Sequence, residues 1–431
     1  MLLEHVLNHA GEEVLAGTLP CGLRVILNPK PGFTKTFGLF GTNFGSIDNE
    51  FIDPLTGKRI RVPDGVAHFL EHKLFEDEHG DVSDRFAQAG ATSNARTGYT
   101  STCYIFSCTE ALETNLQLLL DFVQTPYFTA AGVDKEKGII EQEIRMYRDD
   151  PDWRLHMSLL EALYEKHPVR LDIAGSVESI RSINPEVLQA SYRAYYRPAN
   201  MVLVLVGNLD AAQAVRQIST SLAGRNSVAG GLNARARVAE PPHVHRARVE
   251  ERMMVARPKL GVGYKEAVLG GSGLEIERRE ILSQVLLDCM FGSSSANHDR
   301  LYAEGLIDDS FGASYSAEED FGYSLIGGDT DDPDQPAARV QEIIDATRAS
   351  GVARMDFERT KNKYLGRFLR LFNSIEGSAS SYMACYFRGF YPFDAIGLID
   401  GLTLEDVHAR LQEHPTADRR SLAVILPKTE S

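Results

Sequence analysis

The chain has 431 residues, more than one ordinary hydrophobic core organises, so we expect two domains of roughly 200 residues each. A formal net charge of −15 disfavours nucleic acid and anionic membranes as partners, because both repel an acidic surface. The longest wholly apolar run, MVLVLVG at 201–207, is far shorter than the roughly 20 residues of a membrane-spanning helix.

The N-terminus and the cysteines indicate a reducing, cytoplasmic setting. The opening MLLEHVLNHAGEEVLAG has early acidic residues and no long apolar core, so it does not resemble a signal peptide. The five cysteines are odd in number, scattered in spacing and without a CxxC pair. We therefore expect free thiols that pack in the core.

The first half of the chain predicts strands and helices in alternation. Alternating apolar residues predict a strand at 23–27, and a helix is predicted at 66–77 because its apolar residues share one face. Residues 91–109 are rich in Thr, Tyr, Ile and Cys, which favour strand. The long helical stretch 133–165 is expected to break near Pro151, because proline disrupts a helix interior.

Residues 226–245 are the best candidate for a linker, because this region mixes Gly, Asn, Arg and a Pro pair without apolar periodicity. The second half repeats the order of strand, long helix, strands and helices, from the strand KLGVGYK at 259–265 to a closing strand at 419–427. We therefore predict domains at 1–225 and 246–431, with similar α+β order.

The segment HFLEH at 68–72 is the strongest chemical signal in the chain. On a helix that turns about 100° per residue, His68, Glu71 and His72 share one face. Residues four apart have Cβ atoms about 5–6 Å apart, so both imidazoles can bind one Zn²⁺, and the carboxylate between them can take a proton from water. The order H-x-x-E-H is that of the inverted zincins.

The alternative is a charged surface helix that happens to contain histidine. Only 12 histidines occur in the chain. Composition alone gives this pattern in on the order of 2% of such chains, so the pattern favours a metal site.

A catalytic zinc needs a third protein ligand. The segment EKGIIEQEIRM at 136–146 offers Glu136, Glu141 and Glu143. Glu136 and Glu143 are seven residues apart, so they lie on one helical face, where one can bind zinc and the other can orient a histidine. The pattern does not determine which glutamate binds zinc. For each of them, a place on an acidic, solvent-exposed helix face is the alternative.

Several segments together carry a family resemblance. HFLEH is followed some 70 residues later by the pattern E-x₆-E-I-x-M-x-x-D-x-P, which spans 136–151. FGSIDN at 44–49, GATSNARTGYTSTCY at 90–104 and YYRPANMVLVLVGNLD at 195–210 stand in matching order. The chain resembles the pitrilysin/insulysin (insulinase-type, inverted zincin) family of zinc metallopeptidases, specifically its half-length, processing-peptidase-like bacterial branch.

The resemblance implies roles for individual residues. His68, His72 and Glu143 would bind one Zn²⁺ per chain, and Glu71 would be the general base. Glu136 matches the family's other helix glutamate, a supporting residue. Asn94 and Ala95 match a strand that pairs with the substrate backbone, a contact that reads an extended peptide through main-chain hydrogen bonds. A turn at the end of a strand is the alternative for these last two residues.

The resemblance also implies the fold and the assembly. Each domain would be an antiparallel sheet flanked by helices, an α+β arrangement of the mitochondrial-processing-peptidase-like (LuxS-metallopeptidase-like) type, with the zinc site in 1–225. The family encloses its substrate in a chamber of four such domains. This chain supplies two, so the resemblance implies a dimer.

The second half departs from the family in one segment. Active relatives carry there an Arg and a Tyr that reach the substrate. Here Phe311 stands where the Tyr is expected, and acidic residues fill the neighbourhood of the Arg. The nearby candidates are out of register: Arg300, Tyr302 and Tyr315. We hypothesise a heterodimer with a homologous subunit that supplies this pair; a homodimer stays open.

The resulting expectation is a zinc-dependent endopeptidase that cleaves peptides or unfolded segments inside the chamber of a dimer. The alternative is a non-catalytic structural or assembly subunit of a processing-peptidase-like complex. Such subunits typically lose the zinc residues, which this chain retains.

Overall fold

The computed structural model describes residues 3–6, 11–223 and 233–428. The first part of the predicted linker, 226–232, lies outside these residues. Within the described ranges, no helix combines the length and the apolar character needed to cross a lipid bilayer.

The strands, in chain order, are β1 (Glu4–His5), β2 (Leu15–Thr18), β3 (Arg24–Pro29), β4 (Thr36–Thr42), β5 (Glu50–Ile52), β6 (Arg59–Arg61), β7 (Glu76–Asp77), β8 (Gly80–Asp81), β9 (Ala91–Thr97), β10 (Thr102–Cys108), β11 (Met201–Gly207), β12 (Arg248–Met253), β13 (Lys259–Lys265), β14 (Gly312–Ala317), β15 (Gly322–Asp329) and β16 (Arg420–Pro427).

The helices, in chain order, are α1 (Val66–Leu74), α2 (Val82–Gln88), α3 (Leu112–Gln124), α4 (Ala130–Asp149), α5 (Pro151–Leu163), α6 (Val177–Arg181), α7 (Pro185–Tyr195), α8 (Ala211–Ser221), α9 (Gly273–Phe291), α10 (Ala296–Ala303), α11 (Asp334–Ser350), α12 (Arg354–Leu371), α13 (Ile375–Arg388), α14 (Pro392–Asp400) and α15 (Leu404–Glu413).

The chain forms two compact units. The first comprises the described residues of 1–144, 172–236 and 369–393. Its sheet has the order β1-β2-β3-β11-β4-β10-β9. The pair β3–β11 is parallel and the other pairs are antiparallel. Every residue of β11 is buried, as expected for the apolar run MVLVLVG.

The second unit comprises the described residues of 145–171, 237–368 and 394–431. Its sheet has the order β12-β16-β13-β15-β14, again with one parallel pair, β12–β16, followed by antiparallel pairs. This series of pairings is the same as β3-β11-β4-β10-β9 in the first unit. The prediction of two similar α+β domains is confirmed, with one parallel pair added to each antiparallel sheet.

Each unit contains a helix from the other half of the sequence. Helix α5 packs on β13 and β16 in the second unit, and α13 packs on β4 and β11 in the first. Glycines make room for both helices: a Cβ on Gly263 would lie 2.7 Å from Leu159, and one on Gly41 would lie 2.4 Å from Met383. The central strands β13 and β4 therefore carry glycine where a helix lies close.

The predicted break at Pro151 is confirmed, because α4 ends at Asp149 and α5 begins at Pro151. The Asp150 side chain accepts hydrogen bonds from the backbone N–H groups of Asp152 and Trp153 and so caps α5. The cysteines are also as predicted: all five are free and buried.

Candidate metal centre

Helix α1 carries the H-x-x-E-H segment into the core of the first unit. Gly65, directly before the helix, has a φ of 90°, and a Cβ there would lie 2.4 Å from the carbonyl oxygen of Ala174. Only glycine fits this turn without strain. The apolar residues of α1 are buried, and His68 and Glu71 are only 9% and 8% exposed. The site is therefore built on a helix that packing holds firmly.

Helix α4 brings the third side chain. Ile140 and Ile144 bury one face of α4 and so place Glu143 opposite the two histidines. The distance from Glu143 Oε1 to His68 Nε2 is 3.6 Å, and that from Glu143 Oε2 to His72 Nε2 is 3.4 Å. These ligand atoms all lie within 4.8 Å of one another.

The spacing fits a zinc ion. Tetrahedral zinc with bonds of about 2.1 Å places neighbouring ligand atoms about 3.4 Å apart. The two nitrogen–oxygen distances, 3.4 and 3.6 Å, match this value. The donor set of two imidazoles and one carboxylate is also that of a catalytic zinc site with one open position.

Glu136 contacts His72 at Nδ1, the ring nitrogen that does not face Glu143. Its Oε1 lies 3.0 Å from His72 Nδ1, so the bond fixes the ring and leaves Nε2 turned toward Glu143. The spacing of seven residues between the two glutamates left their roles open. The geometry distinguishes their roles. Of the two histidines, Glu136 contacts His72, at Nδ1, whereas Glu143 lies close to Nε2 of both His68 and His72.

The electrostatics of the site favour a positive charge. Burial, followed by the charge of His72, lowers the pKa of His68 to about 4. Burial disfavours the charged form of His72, but hydrogen bonds with Glu136 and Glu143 outweigh it and raise its pKa to about 10. The hydrogen bond with His72 lowers the pKa of Glu143. The two carboxylates therefore favour a cation between them.

Glu71 lies on α1 next to His72, and burial and one hydrogen bond chiefly determine the pKa of its carboxyl group. Burial raises the pKa of its carboxyl group, and a hydrogen bond from the Thr97 hydroxyl, 2.5 Å from Glu71 Oε2, opposes that rise. A buried carboxylate with a raised pKa is suited to exchanging protons. Thr97 was not among the predicted site residues, although it lies three residues after Asn94 in the segment that resembles the family.

Asn94 and Ala95 lie within β9 and not in a turn. They are opposite Ile105 and Tyr104 of β10, and β9 is the last strand of its sheet. The N–H of Ala95 donates a hydrogen bond to the Asn94 side chain over 2.8 Å. Within the described residues no strand pairs with the outer edge of β9, so an added strand can pair there.

A cleft of about 420 Å³ is lined both by residues of this edge and by residues of the candidate metal centre. Glu71 and His72 line the cleft, and Phe75, Ala95 and Ile139 are its apolar lining residues. Ile139 is 46% exposed. The cleft therefore offers apolar surface beside charged side chains, which include Glu76, Asp81 and Lys135.

The structure shows where the aromatic residues lie that the family resemblance brought into question. Phe311 is buried in the second unit, where its ring packs against Phe291 and His298. The hydroxyl of Tyr315 donates to the buried carboxylate of Glu266 over 2.5 Å. Tyr302, by contrast, is 50% exposed. Phe311 and Tyr315 thus belong to the core of their unit.

Comparison with known proteins gives the family. The family described as "Insulinase (Peptidase family M16)" matches residues 57–177, and "Peptidase M16 inactive domain" matches 182–364. The uncharacterized zinc protease YmfH of Bacillus subtilis (strain 168) is 42% identical over 409 residues, 95% of each chain. The chain belongs to the M16 (insulinase) peptidase family. The H-x-x-E-H segment of this M16 member lies in the first of the two matched regions.

Solved structures agree with this assignment. A crystal structure of an M16-like protein from Alicyclobacillus acidocaldarius is 39% identical, with a TM-score of 0.93, covering 97% of this chain and 99% of the other. The periplasmic protease PqqL of Escherichia coli, 17% identical with a TM-score of 0.75, shows the same fold. The match covers 98% of this chain but only 48% of PqqL. The predicted half-length branch of the M16 family is confirmed.

Proposed function

We propose that this M16 family member is a zinc-dependent endopeptidase that acts on peptides or unfolded segments. One observation carries the proposal: Glu143 faces Nε2 of both His68 and His72 at 3.6 and 3.4 Å, with Glu71 on the same helix. In this proposal His68, His72 and Glu143 hold one zinc ion per chain, and Glu136 orients His72.

Zinc in such a site lowers the pKa of water and polarises a carbonyl group. Glu71 takes a proton from the attacking water as the water oxygen adds to the scissile carbonyl carbon. The same carboxyl group then gives this proton to the leaving amine nitrogen as the carbon–nitrogen bond breaks. Burial prepares Glu71 for both steps, because it raises the pKa of the carboxyl group.

The substrate in this proposal is an extended peptide that adds to β9 beside Asn94 and Ala95. Main-chain hydrogen bonds give such pairing affinity without strong sequence selection. The hydrogen bond between the Ala95 N–H and the Asn94 side chain must be released as the peptide binds. The cleft of about 420 Å³ then receives one side chain of the peptide.

We further propose that the working enzyme is a dimer in the cytoplasm, with a homologous subunit as the partner. The buried positions of Phe311 and Tyr315 support this proposal, because neither offers a free phenol to a substrate. The free, buried thiols fit a reducing compartment. The partner would supply the Arg and the Tyr that contact the substrate.

The test uses the native complex, purified through an affinity tag on this chain, and the chain alone. Mass spectrometry should find one zinc per copy of this chain, and a chelator should stop peptide cleavage until zinc is restored. Absence of zinc from freshly purified protein would contradict the peptidase and favour the structural subunit. Full activity of the chain alone would contradict only the heterologous partner.

A further inference from the structure

We propose that Thr97 is a positioning residue that holds Oε2 of Glu71 and leaves Oε1 to carry the proton. The inference rests on the proposed peptidase function. The two oxygens of the Glu71 carboxylate then have separate tasks. A hydrogen bond of 2.5 Å joins Thr97 Oγ1 to Glu71 Oε2.

The direction of this hydrogen bond follows from the neighbouring hydroxyl groups. Thr97 Oγ1 also lies 3.3 Å from Thr102 Oγ1. The single hydroxyl hydrogen of Thr102 is donated to the carbonyl oxygen of Phe44 over 2.9 Å. An ionised carboxylate can only accept. The hydroxyl hydrogen of Thr97 is therefore donated to Glu71, the closer of its two neighbours.

The side chain of Thr97 has less rotational freedom than the Glu71 side chain to which it donates a hydrogen bond. It lies opposite Thr102 in the β9–β10 pair, and Thr102 is fully buried and also lies opposite Thr42 of β4. Threonine is stiff about χ1, whereas glutamate has three rotatable side-chain bonds. Among the residues that the structure describes, Thr97 is the one whose side chain donates a hydrogen bond to the Glu71 carboxylate.

This arrangement assigns the proton transfers to one oxygen. An O–H bond of the attacking water breaks as Oε1 of Glu71 gains the proton, and that Oε1–H bond later breaks as the leaving amine nitrogen gains it. Oε2 accepts from Thr97 throughout. Because Ala95 lies on the same strand two residues earlier, β9 positions both the peptide and the base. The hydroxyl of Thr97 therefore acts on the rate of the chemical step.

The test replaces Thr97 in the native complex by valine, which keeps the shape, and by serine, which keeps the donor. Misplacing a catalytic group by about 1 Å costs about 10²-fold in rate. We expect Thr97→Val to lower kcat by about this factor with little change in KM and in zinc content. Thr97→Ser should restore most of kcat. The matched control is Thr109→Val, at an exposed threonine directly after β10, and it should leave kcat unchanged.

A second readout does not depend on activity. In crystals of the metal-free protein, Glu71 should take one rotamer in the wild type and in Thr97→Ser, and several rotamers in Thr97→Val. Should Thr97→Val fail to fold, Thr97→Ala serves the same comparison.

Two outcomes would overturn the role of Thr97: a wild-type kcat in Thr97→Val, or an equal loss in Thr97→Ser. A Glu71→Gln variant measured beside them separates the two proposals. An inactive Glu71→Gln with a fully active Thr97→Val contradicts the positioning role alone. A fully active Glu71→Gln contradicts the proposed function itself.

Discussion

Glu136 holds Nδ1 of His72 at 3.0 Å, while Nε2 of the same ring faces Glu143. The hydrogen bond sets the orientation of the ring and increases its basicity, and both effects strengthen a bond from Nε2 to zinc.

Replacing Glu136 by glutamine should therefore weaken zinc binding while leaving the three ligands in place. The amide is neutral and holds the imidazole less strongly than a carboxylate does. We expect a fall in zinc affinity of about 10–100-fold, measured by competition with a chromophoric chelator. Glu141→Gln is the control, because Glu141 lies on the same helix and pairs with Arg181. Equal zinc affinity in the Glu136 and Glu141 variants would contradict the orienting role.

Gly65 sets the start of the helix that carries His68 and His72. A Cβ at this position would meet the carbonyl oxygen of Ala174 at 2.4 Å, and the φ of 90° disfavours any other residue. Gly65→Ala should lower the free energy of unfolding by about 3 kcal/mol or more, because backbone strain and a steric clash add. It should also lower zinc affinity.

The matched control for Gly65 is Gly57→Ala. Gly57 has a φ of 67° with no atom within 4 Å of its position for a Cβ. It carries only the backbone penalty, about 1–2 kcal/mol. Urea unfolding followed by circular dichroism compares the two variants. A larger loss of stability in Gly57→Ala would contradict the steric argument.

The glycines of β13 test the packing of α5 in the second unit. A Cβ on Gly263 would lie 2.7 Å from Leu159, while one on Gly261 would lie 3.5 Å from Leu155, an ordinary contact. Gly263→Ala should lower the free energy of unfolding by about 1–3 kcal/mol, as overpacked cores do. Gly261→Ala should be close to neutral. Equal effects of the two substitutions would show that α5 can move away from the strand.

The buried pair of Glu266 and Arg410 predicts a dependence of stability on pH. Burial disfavours ionisation of Glu266, but the hydrogen bonds and charge of Arg410 outweigh it and lower the pKa of Glu266 from 4.5 to about 2. A lowered pKa means that the unfolded chain binds the proton more tightly than the folded protein does. The ionised pair therefore stabilises the fold above about pH 4.5, and this contribution is lost as the pH falls toward about 2.

We expect Glu266→Gln to lower the free energy of unfolding by about 3–5 kcal/mol at neutral pH, because Arg410 loses its buried partner. The difference from the wild type should shrink as the pH falls below about 4.5, measured by urea unfolding across this range. Glu304→Gln, which removes an exposed partner of Arg339, should cost less than about 1 kcal/mol at neutral pH. A difference for Glu266→Gln that is constant with pH would contradict this account.

Local pattern predicted most of the elements and part of the site. Helical periodicity placed His68, Glu71 and His72 on one face, and the proline rule placed the break at Pro151. The choice between Glu136 and Glu143 did not follow from residue spacing, because both lie on the same face of α4. It depends on where α4 packs against α1, and tertiary contacts decide that.

Two other features depend on contacts distant in sequence. The hydrogen bond from Thr97 to Glu71 joins residues 26 positions apart. The apolar face of α5 indicated that the helix needs a sheet, but it did not indicate which sheet. Close approach to Gly261 and Gly263 of β13 shows that α5 lies on the sheet of the second unit. Periodicity shows which face of a helix or strand is apolar, but not which other element that face packs against.

In the proposed mechanism, Glu71 moves the proton at a zinc site formed by His68, His72 and Glu143. The most direct test measures zinc content and peptide cleavage together, in native complexes that carry Glu71→Gln or His72→Ala on this chain. Glu71→Gln should keep about one zinc per chain and lose cleavage by about 10²–10⁴-fold, while His72→Ala should lose both. Undiminished cleavage by the zinc-loaded Glu71→Gln complex would contradict the account.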